Sequence, residues 1–438
     1  MRKNIFYFDY ASTTPVDPAV IKAMQPYFTK EFGNPSNLYK LGREAKRAVE
    51  RATIKITEVL NCRPDEFIFT GSATEADNLA IAGTARANCK AGNKIIVSNI
   101  EHKAVLSVCK ALAKEGFEIV ELPVQKNGLV NPEELKNSLD KRTILVSVMY
   151  ANNEIGTIQP IKEIAKVISE FRKQKVESRS DENSRFYFLD SRFPLFHTDA
   201  AQALQFLDCD VNKLGVDLMT ISSHKLYGPK GIGGLYARRG VNITPIIYGG
   251  GARQLHPGTQ NVASIAGFGE AVHLAQKNRK AESVRIKKLR DKLEKGIFKI
   301  IPKVVLNGHP VKRLPNSLNI SILDIEGEAM LLHLDDKGIM VGTGSACNSE
   351  SLEPSYVLTA LGNPYEYIHG SIRFTLGKYT KDSHVNYVLK TLPGIVSKLR
   401  RISPINLELE RKEAISQPKA FVGGQTPHFL RKRQHKNK

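Results

Sequence analysis

Through the first two thirds of the chain, short apolar runs alternate with amphipathic stretches, and no other feature constrains the fold as strongly. Glu66 to Thr70, Lys94 to Ser98, Phe117 to Leu122, Thr143 to Tyr150 and Asp217 to Ser222 are each short and apolar enough for buried strands. Helical patterns fall between them, which favours crossover connections. The predicted class is therefore α/β, a mainly parallel sheet wrapped in helices. Ser72-Ala-Thr-Glu75 has capping-box spacing and opens a predicted helix over Ala76 to Ala87. Between Gln174 and Arg192 the sequence turns polar and charge-mixed, as a surface insertion does. A basic-acidic helix pattern from Arg279 to Ile300 then leads to strand patterns near Asn316 to Leu323 and Gly338 to Val341, which predicts a smaller α+β domain. A length of 438 residues accommodates two domains.

A formal net charge of +20 raises the question of an acidic partner, and the charge distribution narrows it. From Arg411 to Lys438, eight Lys or Arg face the single acid Glu413, so this stretch carries +7 of the total. Its Gly-Gly, Gln-Thr-Pro and Arg431-Lys-Arg433 content cannot bury enough apolar surface to order itself, which predicts a basic, disordered tail over residues 406–438. Such a tail either aids solubility or makes a weak contact with nucleic acid or an acidic protein. Five cysteines, Cys62, Cys89, Cys109, Cys209 and Cys347, include no C-x-x-C pair. A disulfide framework or zinc ribbon is not indicated, no metal is expected, and a reducing cytoplasm fits. Asp9 interrupts the start of the chain before a signal-peptide core forms, and no apolar run approaches the ~20 residues of a membrane helix.

The chemistry concentrates where Asp217-Leu-Met-Thr-Ile-Ser222 delivers Ser222, Ser223, His224 and Lys225 to a turn built on Gly228-Pro-Lys-Gly231. A lysine crowded at a strand end is suited to Schiff-base chemistry, with neighbouring hydroxyl and imidazole groups as phosphate donors. Read alone, an isolated Ser-His-Lys is more often an ordinary surface lysine near a hairpin. Asp199 follows an apolar strand, where a carboxylate can face a pyridinium N–H, and it is equally a helix N-cap. Thr70-Gly-Ser-Ala-Thr74 at a helix start offers N–H groups and hydroxyls for a phosphate or is a bare cap. Glycines and small polar residues around Cys347 predict an exposed, mobile thiol, whereas Cys109 sits in an apolar helical pattern and reads as structural.

Taken in order, Asp9-Tyr-Ala-Ser-Thr-Thr-Pro, Phe32-Gly-Asn-Pro-Ser36, Ala73-Thr-Glu-Ala-Asp-Asn78, Glu101-His-Lys103, Asn152-Asn-Glu-Ile-Gly156, His197-Thr-Asp-Ala-Ala-Gln202, Ser222-Ser-His-Lys225, Gly344-Ser-Ala-Cys347 and Ser371-Ile-Arg373 resemble one family. These motifs are similar to those of the NifS/IscS-type cysteine desulfurases, in the class V aminotransferase superfamily of pyridoxal-phosphate enzymes, from about Phe6 to Pro404. The resemblance implies the fold-type I architecture: a large domain over 15–278 with a mainly parallel seven-stranded sheet, and a smaller α+β domain from 1–14 and 279–405. It implies pyridoxal 5'-phosphate as cofactor, with Lys225 as Schiff-base lysine and base, Asp199 at the pyridine nitrogen and Gln202 near the ring hydroxyl. His102 would stack on the ring and manage thiol protons. Ala73, Thr74, Ser222 and His224 would hold the phosphate, and Thr259 would reach it from the other subunit of a homodimer. Asn153 would touch the cofactor, and Asn34, Asn153 and Arg373 would position the substrate L-cysteine. Cys347 would take its sulfur as a persulfide, leaving alanine, and hand it to proteins of Fe–S assembly or tRNA thiolation. Selenocysteine lyase, another β-eliminating relative, or a non-catalytic docking scaffold are the alternatives. Four features depart from the family pattern: the Gly71-Ser72 order with Ser223 before His224, a short Gly249 to Thr259 segment with His256, Tyr39, and the insertion.

Overall fold

The computed structural model of the chain describes residues 5–177, 192–250, 255–343 and 354–403. Cys347, the tail over 406–438 and most of the insertion lie outside the described residues. Twelve strands are described: β1 (Phe6–Tyr7), β2 (Phe67–Thr70), β3 (Lys94–Ser98), β4 (Glu118–Leu122), β5 (Thr143–Ser147), β6 (Leu195–Asp199), β7 (Leu218–Ser222), β8 (Gly233–Ala237), β9 (Val304–Asn307), β10 (Ser317–Ile322), β11 (Ile339–Met340) and β12 (Ser371–Thr375).

Seven of them form one sheet in the order β2-β8-β7-β6-β5-β3-β4. Pairing is parallel from β7 to β4 and antiparallel where β8 meets β7 and β2. The α/β expectation holds. Strands β3, β5, β6 and β7 are buried along their whole lengths, because helices cover both faces and alternation gives way to continuous apolar runs. Phe196, fully buried in β6, contributes about 1.5–3 kcal/mol of apolar transfer free energy. A second, antiparallel sheet has the order β12-β10-β9, and β1 pairs in parallel with β11.

Two local readings are corrected. The helix pattern expected from Arg279 begins at Val262 and runs unbroken to Ile300. Its Gly267 and Gly269 sit where a Cβ would lie 2.6 Å from Met24 and 2.7 Å from Ala52, so they let it approach its neighbours closely. The Ser72 box is half formed. Ser72 Oγ accepts the Glu75 N–H at 3.1 Å and caps the helix Ala73–Asn78, worth ~1 kcal/mol, but the Glu75 carboxylate turns to the Gly71 N–H instead, at 2.8 Å. The helix then widens through a π-type stretch, Leu79–Gly83, before Thr84–Ala87.

Candidate active site

Adjacent parallel strands β6 and β7 end side by side, with Asp199 opposite Thr220, and so bring Asp199 and the Ser222 to Lys225 turn to one crevice. Strand ends at the carboxyl edge of such a sheet are where ligands bind. Lys225 Nζ donates to two backbone carbonyls, Ala11 at 2.5 Å and Ser12 at 2.7 Å. The turn that carries it is tightly held: Tyr227 adopts φ +62°, costly for a non-glycine residue, while its N–H donates to Thr14 Oγ1 at 2.9 Å. Thr14 Oγ1 in turn donates to the carbonyl of His224 at 2.9 Å. The surface-lysine reading of Lys225 does not fit this environment.

Asp199 accepts the Ala201 N–H at 2.8 Å and so caps a turn rather than a helix. Burial raises its carboxyl above the ordinary range, with the charges of His102 and Lys225 pulling the other way. His102 caps the helix Lys103–Lys114, its Nδ1 accepting the Ala104 N–H at 3.1 Å. In the neutral ring the remaining proton is therefore on Nε2. Burial lowers the pKa of His102 and keeps that ring neutral. His224 pairs with Thr13 through Nδ1 at 3.1 Å, and burial with the charge of Lys225 lowers it to about 4. Gln202 donates to the Ala11 carbonyl at 2.9 Å, the same oxygen that receives Lys225.

On the opposite wall Arg373, from β12, spreads its guanidinium over Asp9 Oδ1 (2.7 Å), Ser12 Oγ (3.1 Å) and the Asn153 carbonyl (3.0 Å). Among the described residues, Arg373 Nε, Asn153 Oδ1 and Ser223 Oγ are buried without partners. Buried polar groups are rarely left so, and the first two, on the wall with Arg373, point to a polar ligand. Ser223 fits where the family pattern has glycine because Gly228 faces it: a Cβ there would lie 2.1 Å from Ser223 Oγ. Gly233 in β8 leaves similar room, since a Cβ would stand 2.6 Å from the Ala73 nitrogen, and Ser222 is buried beside it in the β7–β8 pair. Ala73 and Thr74 open their helix with N–H groups that have no acceptor within it.

Two expected residues stand apart. Asn34 turns its side-chain carbonyl to the Ser36 N–H at 3.0 Å, and Thr259 is exposed; no hydrogen bond among the described residues joins either to the Lys225 crevice. Since Thr259 was expected to serve the second subunit, one chain leaves that expectation open. His256 Nδ1 donates to Glu75 Oε1 at 2.6 Å, which ties its segment to the Ala73–Asn78 helix. Cys109 is buried and its thiol is pushed up to about 12 by desolvation, which suits a structural role.

Sequence reasoning assigned no role to several buried acids that the fold places behind the crevice. Glu101 accepts the Met149 N–H at 2.8 Å and the Ser98 hydroxyl, and burial raises its carboxyl to about 8. Asp77 is raised well above the usual range by burial and by Asp199, and lies 3.7 Å from His197. His197 itself is lowered to about 3 by burial and bonds Ser147 and Thr220, so the ring that faces Asp77 is uncharged near neutral pH. Glu154 is raised to about 7 by burial. The signal for Glu101 and Glu154 was their place beside His102 and Asn153 in quoted motifs.

A family model for aminotransferase class V matches residues 6–176 and 192–388. The chain is 47% identical over 407 residues to a protein of Dictyoglomus turgidum named cysteine desulfurase IscS, covering 93% of this chain and 98% of the relative. A solved structure named NifS-like protein superposes with a TM-score of 0.81 at 35% identity, covering 90% of this chain and 99% of that one. Another, SspA in complex with cysteine, superposes at 0.72 with 32% identity, covering 86% and 99%.

Proposed function

The chain belongs to the class V aminotransferase family, among its cysteine desulfurases, and from that premise we propose that it uses pyridoxal 5'-phosphate to move sulfur from L-cysteine to Cys347. The observation that carries this reading is the convergence of Lys225 and Asp199 at the ends of β7 and β6, opposite an arginine with a free buried Nε. The net reaction needs no outside oxidant. The C–S bond of cysteine breaks, the thiolate of Cys347 bonds to its sulfur, and the β-carbon keeps the bonding pair and takes a proton. The sulfur is oxidised as the carbon is reduced, and the products are alanine and a persulfide on Cys347.

The residues fit the cofactor. Ala73, Thr74, Ser222 and His224 would hold its phosphate, Asn153 and Gln202 would contact its ring, and Asp199 would favour a protonated ring nitrogen. When bound, it supplies an electron sink for charge developing at the α-carbon of the substrate. Lys225 would anchor it, and its amine is the base that would take the α-proton of the substrate. The Ala11 and Ser12 carbonyls are where the Lys225 side chain rests. His102, neutral with a proton on Nε2, would donate that N–H in a hydrogen bond to the substrate sulfur. Arg373 would fork the carboxylate of cysteine, and Asn34 would orient it, as the family resemblance implies.

Exposed Phe32, Leu38 and Tyr39, 65%, 89% and 58% accessible in one stretch, support a homodimer, in which Thr259 serves the second site. From Cys347 the sulfur passes to acceptor proteins of Fe–S assembly or tRNA thiolation. A cytoplasmic location accords with the cysteine usage; no helix among the described residues is long and apolar enough to cross a membrane.

Arg373→Lys keeps the charge but loses the planar fork. We expect KM for cysteine to rise at least about tenfold with a smaller change in kcat, in line with about 1.5–3 kcal/mol for hydrogen bonds to a charged group. Steady-state alanine production at varied cysteine reads the split. The proposal as a whole is tested by the visible absorbance of the purified chain supplied with pyridoxal 5'-phosphate. A colourless chain that does not take up the cofactor contradicts it and leaves the docking scaffold.

A further inference from the structure

The segment bearing Cys347 is held at both flanks by residues already described around the crevice. On the entering side, Gly342 and Arg373 exchange two backbone hydrogen bonds of 3.0 and 2.7 Å. No side chain fits at Gly342: a Cβ would lie 2.7 Å from Arg373 Nη2 and 2.9 Å from Asp9 Oδ1. On the returning side, the Ser355 hydroxyl donates to Glu154 Oε2 at 2.5 Å while its oxygen caps the helix Tyr356–Ala360. The next residue, Tyr356, donates its hydroxyl to the Glu101 carbonyl at 2.7 Å.

These acceptors are not scattered. Glu154 follows Asn153, whose carbonyl holds Arg373, and Glu101 precedes His102. Asn152 Nδ2 donates to the Ile100 carbonyl at 2.9 Å and so locks the two turns to each other. Ile100, Met149, Ile155, Val357 and Leu358 form a small core beneath them. Ser355 and Glu154 are each 3% exposed, so breaking their bond leaves a buried group unpaired.

We propose that Glu154, acting through Ser355, is a positioning residue for sulfur transfer: it fixes the return of the Cys347 segment on the two turns that present Arg373 and His102. The role rests on the reading of Cys347 as sulfur acceptor. A plain N-cap at Ser355 would stabilise the helix Tyr356–Ala360 without any need for Glu154. The strap instead holds Ser355, eight residues past Cys347 in the chain, on the turns that carry Asn153 and His102, and displacements of an ångström in active-site geometry cost up to about 10²-fold in rate.

The test uses the full-length, cofactor-loaded protein in a single turnover with L-cysteine. Persulfide on Cys347 is followed by mass spectrometry, and cofactor content and L-alanine binding by visible absorbance. Glu154→Ala is expected to slow persulfide formation about tenfold or more while cofactor content and the alanine dissociation constant change less than about twofold. Glu154→Gln, whose side-chain carbonyl still accepts the Ser355 hydroxyl, is expected to recover most of the lost rate. Should Glu154→Ala fail to fold, Tyr356→Phe, which removes a single hydroxyl, is expected to slow the same step. Persulfide formation at the unmodified rate in both variants, or a loss that follows alanine binding in parallel, overturns the proposal. If Cys347→Ser still accumulates persulfide, the reading of Cys347 falls instead, and the two failures are told apart.

Discussion

Lys225→Ala is expected to fold, to lose the cofactor's visible absorbance on dialysis, and to produce alanine from cysteine at least on the order of 10⁴-fold more slowly than the unmodified chain. The fold survives because the side-chain contacts of Lys225 described above are two carbonyls of the Ala11 and Ser12 backbone, not a core neighbour. The Ala11 carbonyl keeps a second donor, the Gln202 amide. What is lost is the amine that anchors the cofactor and the base that takes the α-proton, and no second amine is described at that position. His102 does not substitute, since its Nδ1 is occupied by the Ala104 N–H and burial holds the ring neutral. Absorbance after dialysis and steady-state alanine check both parts. A variant that keeps its colour and turnover would show that Lys225 is not the anchoring group.

Cys347→Ser separates the two halves of the chemistry. The variant is expected to keep the cofactor, the visible spectrum and cysteine binding, because every residue assigned to those tasks lies elsewhere. Its sulfur transfer is expected to fall by at least about a hundredfold: a thiol with an ordinary pKa near 8.5 is partly ionised at neutral pH, whereas a serine hydroxyl is not. Nor can oxygen form the stable sulfur–sulfur bond that stores the product. Sulfide release and persulfide content after cysteine addition give the readout, and sulfur release undiminished in the variant would remove Cys347 from the mechanism.

The sheet was legible wherever burial on both faces wrote an unbroken apolar run, as in Lys94–Ser98 and Leu218–Ser222. Strand β8 was not, because its Gly233-Gly234 start is chosen by the close approach of Ser72 and Phe67, neighbours distant in sequence. The same cause hid the first half of the helix Val262–Ile300, where Gly267 and Gly269 weaken the local pattern and pay for it in packing. At the site, Lys225 and Asp199 were legible because their residue types just past or at the end of apolar strands imply chemistry, whereas Arg373, in the middle of β12, came only with the family resemblance. Asp77, Glu101 and Glu154 were not. A carboxyl in a linear sequence reads as surface, and only the assembled core shows that these are desolvated and that Asp77 and Glu101 both lie near Asp199. Asp9 was quoted in a motif without a role, and its pairing with Arg373 spans 364 residues of sequence.

The central claim is that one sulfur atom leaves cysteine in the Lys225 crevice and arrives on Cys347. It is tested most directly by adding one equivalent of L-cysteine to the loaded protein, then weighing the Cys347 peptide and quantifying alanine from the same sample. The account predicts one added sulfur on that peptide for each alanine formed. Alanine without sulfur on Cys347, or pyruvate and free sulfide in its place, would contradict it.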